Sequence, residues 1–289
     1  MHSKYGVKIA ALLLLIMGCG LVVGSLAALT AGLIWNGEAN SAGCMRFIQA
    51  ISTVGFFALP AMFFSALVHG NLFSFSKINK KITWKFTRTV LWLAIALLPL
   101  IALFGYLNEQ IQLPETFTAI QEWMRAIESK TNELLKLLMN DARISVLLLN
   151  IVILGILPGI CEEWLFRGTI QPLLQEKIKN KHLVIWITTL LFSAIHLQFA
   201  GFIPRLLLGG YLGYIAIWSG SLWLPILAHT LHNILSIVLN FFAIQQDVDT
   251  EHFDPLIIPE FWPVAIVSAF FAAYGIYRLQ RMSAIKKLI

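Results

Sequence analysis

Charge is scarce in this chain. Asp, Glu, Lys and Arg together make 12% of its 289 residues, against about a quarter in soluble domains. With 58% of residues hydrophobic and gathered in long runs, that shortage excludes an ordinary soluble domain and points to an integral membrane protein. The residue-by-residue alternation of an outer-membrane barrel is also missing, which leaves an all-α bundle. Cysteine is nearly absent: Cys19, Cys44 and Cys161 form no metal-ligand spacing and no disulfide framework. No HExxH segment occurs, so a zinc site of that single-helix kind is excluded. The sequence shows no repeat, low-complexity tract or second soluble domain. The net charge of +6 carries no nucleic-acid signal, because the basic residues cluster between apolar runs.

What is present is a series of eight apolar runs, at residues 9–35, 47–68, 90–107, 144–160, 183–197, 206–218, 222–242 and 261–276. Each is read as a membrane span, the shorter ones as tilted or shielded. The first comes after Lys4 and Lys8 and contains Ala28-Leu29-Thr30-Ala31, which resembles a cleavage site. Its length far exceeds the apolar core of a cleavable signal, about 7–15 residues, so an uncleaved span is expected. The same length sets aside Ile16-Met17-Gly18-Cys19 as a lipoprotein signal.

Basic residues orient the spans. Lys77, Lys80, Lys81, Lys85 and Arg88 come after the second span, Arg167, Lys177, Lys179 and Lys181 after the fourth, and Arg278, Arg281, Lys286 and Lys287 after the last. On the other side, Asp247, Asp249, Glu251 and Asp254 occur with no Lys or Arg among them. The expectation is a multi-pass protein of the bacterial inner (cytoplasmic) membrane with both termini inside. Residues 114–141 differ: Phe117, Ile120, Trp123, Met124, Ile127, Leu134, Leu135 and Leu138 recur at helical spacing among charges. We read them as amphipathic helix on the outer surface. The chain thus divides into three regions: 1–143 as an N-terminal membrane region, 144–240 as a catalytic helical core, and 241–289 as a last span with a basic tail.

Against that apolar background a few polar residues stand out. Glu162 and Glu163 adjoin the fourth run; Glu163 and Arg167, four apart, can pair on one helix face and leave Glu162 free. His196 lies near the end of the fifth run, and His229, His232 and Asn233 share the seventh. Alone, the first group could be a juxtamembrane charge cluster, His196 a satisfied packing residue, and the third group a helix-to-helix hydrogen bond. Together they supply a carboxylate to deprotonate water, histidines to bind a metal or polarise a carbonyl, and an amide to donate to an oxyanion.

Glu-Glu-x-x-x-Arg, Phe-x-x-x-His and His-x-x-x-Asn, here Glu162-Glu163 with Arg167, Phe192 with His196, and His229 with Asn233, resemble the motifs of the CPBP family. That family comprises the type II CAAX prenyl endopeptidases and their Abi relatives. The resemblance covers roughly residues 144–240. It implies an eight-helix intramembrane protease in which Glu162 activates water, Glu163 and Arg167 support the helix, and Asn233 donates to the oxyanion. His196 and His229 would position water or, with Glu162, hold zinc. It also implies a membrane-associated protein or lipidated peptide as substrate, presented within the lipid bilayer, and no nucleic acid as partner. A proton-coupled transporter or a non-catalytic membrane scaffold or immunity protein could use the same residues.

The span boundaries create one conflict. They put Glu162 at the cytoplasmic end of the fourth span, while His196 lies thirteen residues beyond Leu183, about 20 Å along a helix. The two would then differ in depth. Other features have a structural reading beside a functional one: Gly209, Gly210, Gly213 and Gly220 allow close helix packing or open a substrate entry, and Arg205 is an interfacial anchor or holds an acidic partner or a substrate carboxylate. Cys161 reads as a filler. Tryptophans 35, 84, 123, 164, 218, 223 and 262 read as an interfacial belt.

Overall fold

A computed structural model describes residues 2–36, 38, 40–73, 82–111, 114–245 and 262–285. Lys77, Lys80, Lys81, Lys286, Lys287 and the acidic stretch 247–254 lie outside the described residues. No strand occurs among the described residues, which form helices α1 (His2–Ile34), α2 (Ala42–Thr53), α3 (Leu59–His69), α4 (Trp84–Ala96), α5 (Leu98–Glu109), α6 (Thr118–Met139), α7 (Ile144–Asn150), α8 (Leu157–Leu165), α9 (Gln171–Lys177), α10 (Lys181–Ala194), α11 (Phe202–Ser219), α12 (Trp223–Gln245) and α13 (Trp262–Ile285).

Several join into longer rods through π-helical segments: Val54–Ala58 between α2 and α3, Ile151–Ile156 between α7 and α8, and Phe166–Ile170 between α8 and α9. Each precedes a proline in the next helix, namely Pro60, Pro158 and Pro172. A proline donates no backbone hydrogen and its ring crowds the carbonyl four residues back. That carbonyl belongs to Phe56, Leu154 or Gly168, and all three lie inside the π segments. Widening the turn accommodates the ring without ending the rod.

The fourth rod therefore does not stop near Pro158. It runs unbroken from Ile144 to Lys177, 34 residues. Glu162 lies mid-rod, Arg167 is buried inside the bundle instead of in a connection, and Trp164 packs on Phe73 at mid-rod instead of at a span end. The depth conflict disappears: from Glu162 the chain descends to Lys177, turns at 178–180, and climbs α10 to bring His196 back. Asn180 starts that climb, its Oδ1 accepting from the amides of His182 and Leu183 at 3.0 and 3.2 Å.

Among the described residues seven rods are long and apolar enough to cross a membrane; the eighth expected span, residues 183–197, is the shorter helix Lys181–Ala194. The chain is an all-α integral membrane protein. Its outer surface carries exposed Leu13, Leu14, Met17, Leu21 and Phe270, which suit lipid contact. Inside, one cluster joins Val90, Leu93, Ile101, Leu212, Ile215 and Leu224 across α4, α5, α11 and α12. A second joins Leu12, Phe64, Leu165, Phe166 and Phe192.

Lys8 pairs with Glu176 at 2.8 Å at one end of the bundle, where α1 begins and α9 ends. At the other end Arg46 and Asn150 both donate to the Leu138 carbonyl, at 2.5 and 2.8 Å, and so fasten the C-terminus of α6. Asp141 just beyond holds Arg143 at 2.6 Å, and those hydrogen bonds pull its carboxyl down to about 2. Phe117, just before α6, and Ile120 and Trp123 within it remain exposed.

Small residues set the closest approaches. Gly209 and Gly213 lie against Thr189 and Ile185 of α10, while Gly220 ends α11 at a φ of 65°. Gly159 faces α12 at Thr230, whose backbone nitrogen would be 3.0 Å from an added Cβ. Gly159→Ala should therefore push α8 from α12 and cost about 1–3 kcal/mol of stability. Gly18→Ala, with nothing within 4 Å of its Cβ position, is the matched neutral control. Melting of the two purified variants in detergent checks the difference; equal melting temperatures would refute the close contact.

Candidate active site

The fourth rod delivers three charged side chains into the bundle: Glu162 7% exposed, Glu163 fully buried and Arg167 4% exposed. Glu163 and Arg167 stand one turn apart and pair at 2.7 Å. The other arm of the guanidinium donates to the Gly209 carbonyl of α11 at 2.8 Å. Its face lies 4.6 Å from the centroid of the Phe192 ring, a cation–π contact from α10.

His229 of α12 closes the cluster. Its Nδ1 lies 2.9 Å from the same Glu163 Oε1 that receives Arg167. A carboxylate oxygen accepts, so Nδ1 carries the proton and donates. That leaves Nε2 directed toward Glu162, 4.0 Å from its Oε2. The Phe192 ring lies edge-on to both His229 and His196, at 5.8 and 5.3 Å between centroids. Phe192 thus packs on both imidazoles and on the arginine with one side chain.

His196 sits just past α10, in the turn to α11. Its Nδ1 donates to the Phe192 carbonyl at 2.8 Å, leaving Nε2 without that proton in the neutral ring. The turn is held from outside: Asn108 of α5 donates to the Phe199 carbonyl at 2.6 Å and accepts from the Ile203 amide at 3.0 Å. Ser193 donates to the Phe202 carbonyl at 2.7 Å. Leu197 takes a φ of 54°, a conformation bulky residues rarely adopt. Sequence reasoning missed Asn108 as a fastener, and an asparagine ending an apolar run was the available signal.

Asn233 lies one turn beyond His229 on α12, and its Nδ2 is a long 3.5 Å from the Gly155 carbonyl. That contact is too weak to hold the amide strongly. His232 points elsewhere, with its buried Nδ1 unpaired. Cys161 is a buried free thiol beside Glu162.

Glu162, His196 and His229 were the expected zinc ligands. Both histidines have one nitrogen anchored and the other open, which suits ligation. However, among the described residues no group of three His, Cys, Asp or Glu side chains is gathered closely enough to hold a metal ion. As arranged, the three do not fit a bound zinc, and the proposed chemistry passes through none.

Residues 144–235 match the family described as type II CAAX prenyl endopeptidase Rce1-like. Over that stretch the chain is similar to the Rce1-like family. The match takes in α7 to α10, all of α11 and the first half of α12, about a third of the chain, and every residue of the three motifs. Neither a curated protein nor a solved structure matches. Outside the Rce1-like segment lie α1 to α6 and α13, including Asn108 and the whole of α6.

The buried Glu163–Arg167 pair makes the site's stability testable. Replacing Arg167 by Met strands a carboxylate in the apolar interior and should cost about 3–5 kcal/mol. Glu163→Gln with Arg167→Met should recover a large part of that loss. A double-mutant cycle on detergent melting measures the coupling; additive losses would contradict the pairing.

Proposed function

We propose that the chain is an intramembrane endopeptidase in which Glu162 is the general base. The observation that carries this reading is the pairing of Glu162 with the open face of an anchored histidine inside an otherwise apolar bundle. A water bonded to Glu162 Oε2 and His229 Nε2 would attack the peptide carbonyl carbon while its proton passes to Glu162. The water's two hydrogens are then both used, so Nε2 of His196, also without a proton, is left to accept from an N–H of the peptide. As the tetrahedral intermediate forms, the Asn233 amide turns from Gly155 and donates to the oxyanion. Glu162 then returns the proton to the departing amine as the C–N bond breaks. Glu163 and Arg167 touch no reacting atom: they fix the tautomer and direction of His229. The Rce1-like match supports peptide hydrolysis at the family level, and the family's description supports the C-terminal tail of a prenylated protein as substrate.

One observation favours a different substrate. A cavity beneath α6, lined also by α5 and the turn joining α10 to α11, lies at the end of the bundle opposite Lys8, Lys177 and Lys181. If the basic end is cytoplasmic, as the Lys and Arg distribution indicates, a peptide using that cavity comes from the extracytoplasmic side of the membrane. A membrane-anchored peptide or protein tail on that face is the second reading.

Comparing new peptide termini in membranes from cells making wild type or Glu162→Gln tests both. Wild-type-only termini should appear and fall by at least about 10²-fold in the variant; their sequences separate prenylated cytoplasmic tails from extracytoplasmic ones. Identical termini with both proteins folded would favour a proton-coupled transporter or a scaffold. Asn233→Ala should lower kcat by about 10²–10³ with little change in KM. Cleavage should persist after exhaustive treatment with a zinc chelator. Loss restored by zinc alone would instead place the ion among Glu162, His196 and His229.

A further inference from the structure

A cavity of about 770 Å³ lies between α5, α6 and the turn joining α10 to α11. The polar face of α6 roofs it, through Gln121, Glu128 and Asn132, while Asn108 and Arg205 belong to its opposite wall. Arg205 stands in the first turns of α11, inside a span, where a charged side chain is expensive unless it is used.

Its bonds leave much of it free. Nη1 donates to Gln198 Oε1 at 2.8 Å and Nη2 to the Gln198 carbonyl at 2.7 Å. Nε is buried with no partner, and Arg205 forms no ion pair among the described residues. A guanidinium offers five N–H donors in a fixed fork, so at least two remain for a ligand. Gly201 lies directly under the guanidinium, and any Cβ there would strike it. Gln198 and Gly201 together hold the head group in one place.

Two carboxylates act on Arg205 electrostatically without touching it. Glu128 is in the cavity roof, its Oε1 engaged by the Ala200 amide at 2.5 Å. Glu162 is the proposed base. Arg205 therefore lines the cavity and is within electrostatic reach of the reaction centre.

We propose that Arg205 is an anchoring site for a carboxylate of the bound peptide, reached through the cavity beneath α6. This rests on the peptidase reading, because a peptide's anionic groups are its C-terminal carboxylate and its Asp and Glu side chains. The fork of Arg205 receives one of them in bidentate fashion. The peptide's carbonyl to be cleaved then lies on the Glu162 side and the rest of the carboxylate-bearing end lies under α6. Arg205 is a binding residue in this scheme and takes no part in proton transfer.

The test uses the full-length Glu162→Gln protein in detergent, where binding is read without turnover. The probes are one dansyl-labelled apolar pentapeptide with a free C-terminal carboxylate, the same peptide as its amide, and the amide with a terminal Glu. The free acid should bind at least about tenfold more tightly than the plain amide, the worth of a charge-assisted hydrogen bond. Arg205→Gln should erase that difference and leave amide binding unchanged. Arg205→Lys, which keeps the charge and loses the fork, should retain part of it. The terminal-Glu probe tells whether the site takes the chain end or a side chain.

Equal binding of acid and amide to the Arg205-containing protein overturns the proposal even where Arg205→Gln fails to fold. A preference that survives in folded Arg205→Gln overturns it too. Carboxylate preference in a protein whose wild type cleaves nothing would sink the peptidase reading and leave this site standing. Cleavage without the preference would do the reverse.

Discussion

One carboxylate oxygen organises the centre of this molecule. Glu163 Oε1 receives both Arg167, from its own rod, and His229, from α12. In water such a three-body contact would be worth little, but here all three side chains are almost completely excluded from solvent. Removing any partner leaves an unmatched charge or donor in an apolar bundle, so the three side chains constrain one another. The consequence for chemistry is direct. With Nδ1 committed to Glu163, His229 can offer only Nε2, and the rods point that nitrogen at Glu162. The adjacent glutamates divide the work: one holds the histidine and the other faces it.

That division depends on where the rods pass one another, which the prolines decide. A proline in a membrane helix must have its displaced carbonyl accommodated locally, since no water is at hand. This chain does so three times with a π segment instead of a break. Two of those segments bracket α8, which carries Glu162 and Glu163. Each insertion rotates the downstream part of the rod relative to the upstream part, so the rod can present Gly155 and Gly159 to α12 and Arg167 to α10 and α11. An uninterrupted α-helix of this length would have a different register along its faces.

The architecture was legible from hydropathy, because apolar runs separated by basic clusters are a physical requirement of spanning a bilayer. The polar residues of the site were legible for the complementary reason: Glu162, Glu163, Arg167, His196, His229 and Asn233 are costly at that depth and stand out against their neighbours. Depth was not legible. Glu162, Glu163 and Arg167 interrupt the hydropathy of the fourth run, so the run looked finished at residue 160 although the helix continues to Lys177. The charges that mark the site also hid the length of the element that carries it. Pairing was only half legible. The i, i+4 spacing of Glu163 and Arg167 could be read from the chain, but the meeting with His229 sixty-six residues later could not. Asn108 looked like an ordinary residue at a run end, because its meaning lies in the turn from α10 to α11 that it holds. Arg205 stood out by its charge, but the cavity it lines is made by elements far apart in the chain and was not legible.

The polar atoms left without partners show what this bundle is built for. Glu163 Oε2, Arg167 Nε, Gln171 Oε1, Thr230 Oγ1 and His232 Nδ1 are buried and unpaired, and all belong to the rods that form the site. A bundle optimised for stability alone would replace such groups with well-packed aliphatic side chains, which is often neutral or stabilising. The apolar clusters on either side, around Leu212 and around Phe64, contain no comparable group and can carry that cost. They also keep the charged side chains from rearranging, since a shift of any rod would open voids in close-packed aliphatic layers. Stability is thus concentrated in the flanks and spent at the centre. What the centre gains is a glutamate and a histidine held face to face at a depth where neither could otherwise persist.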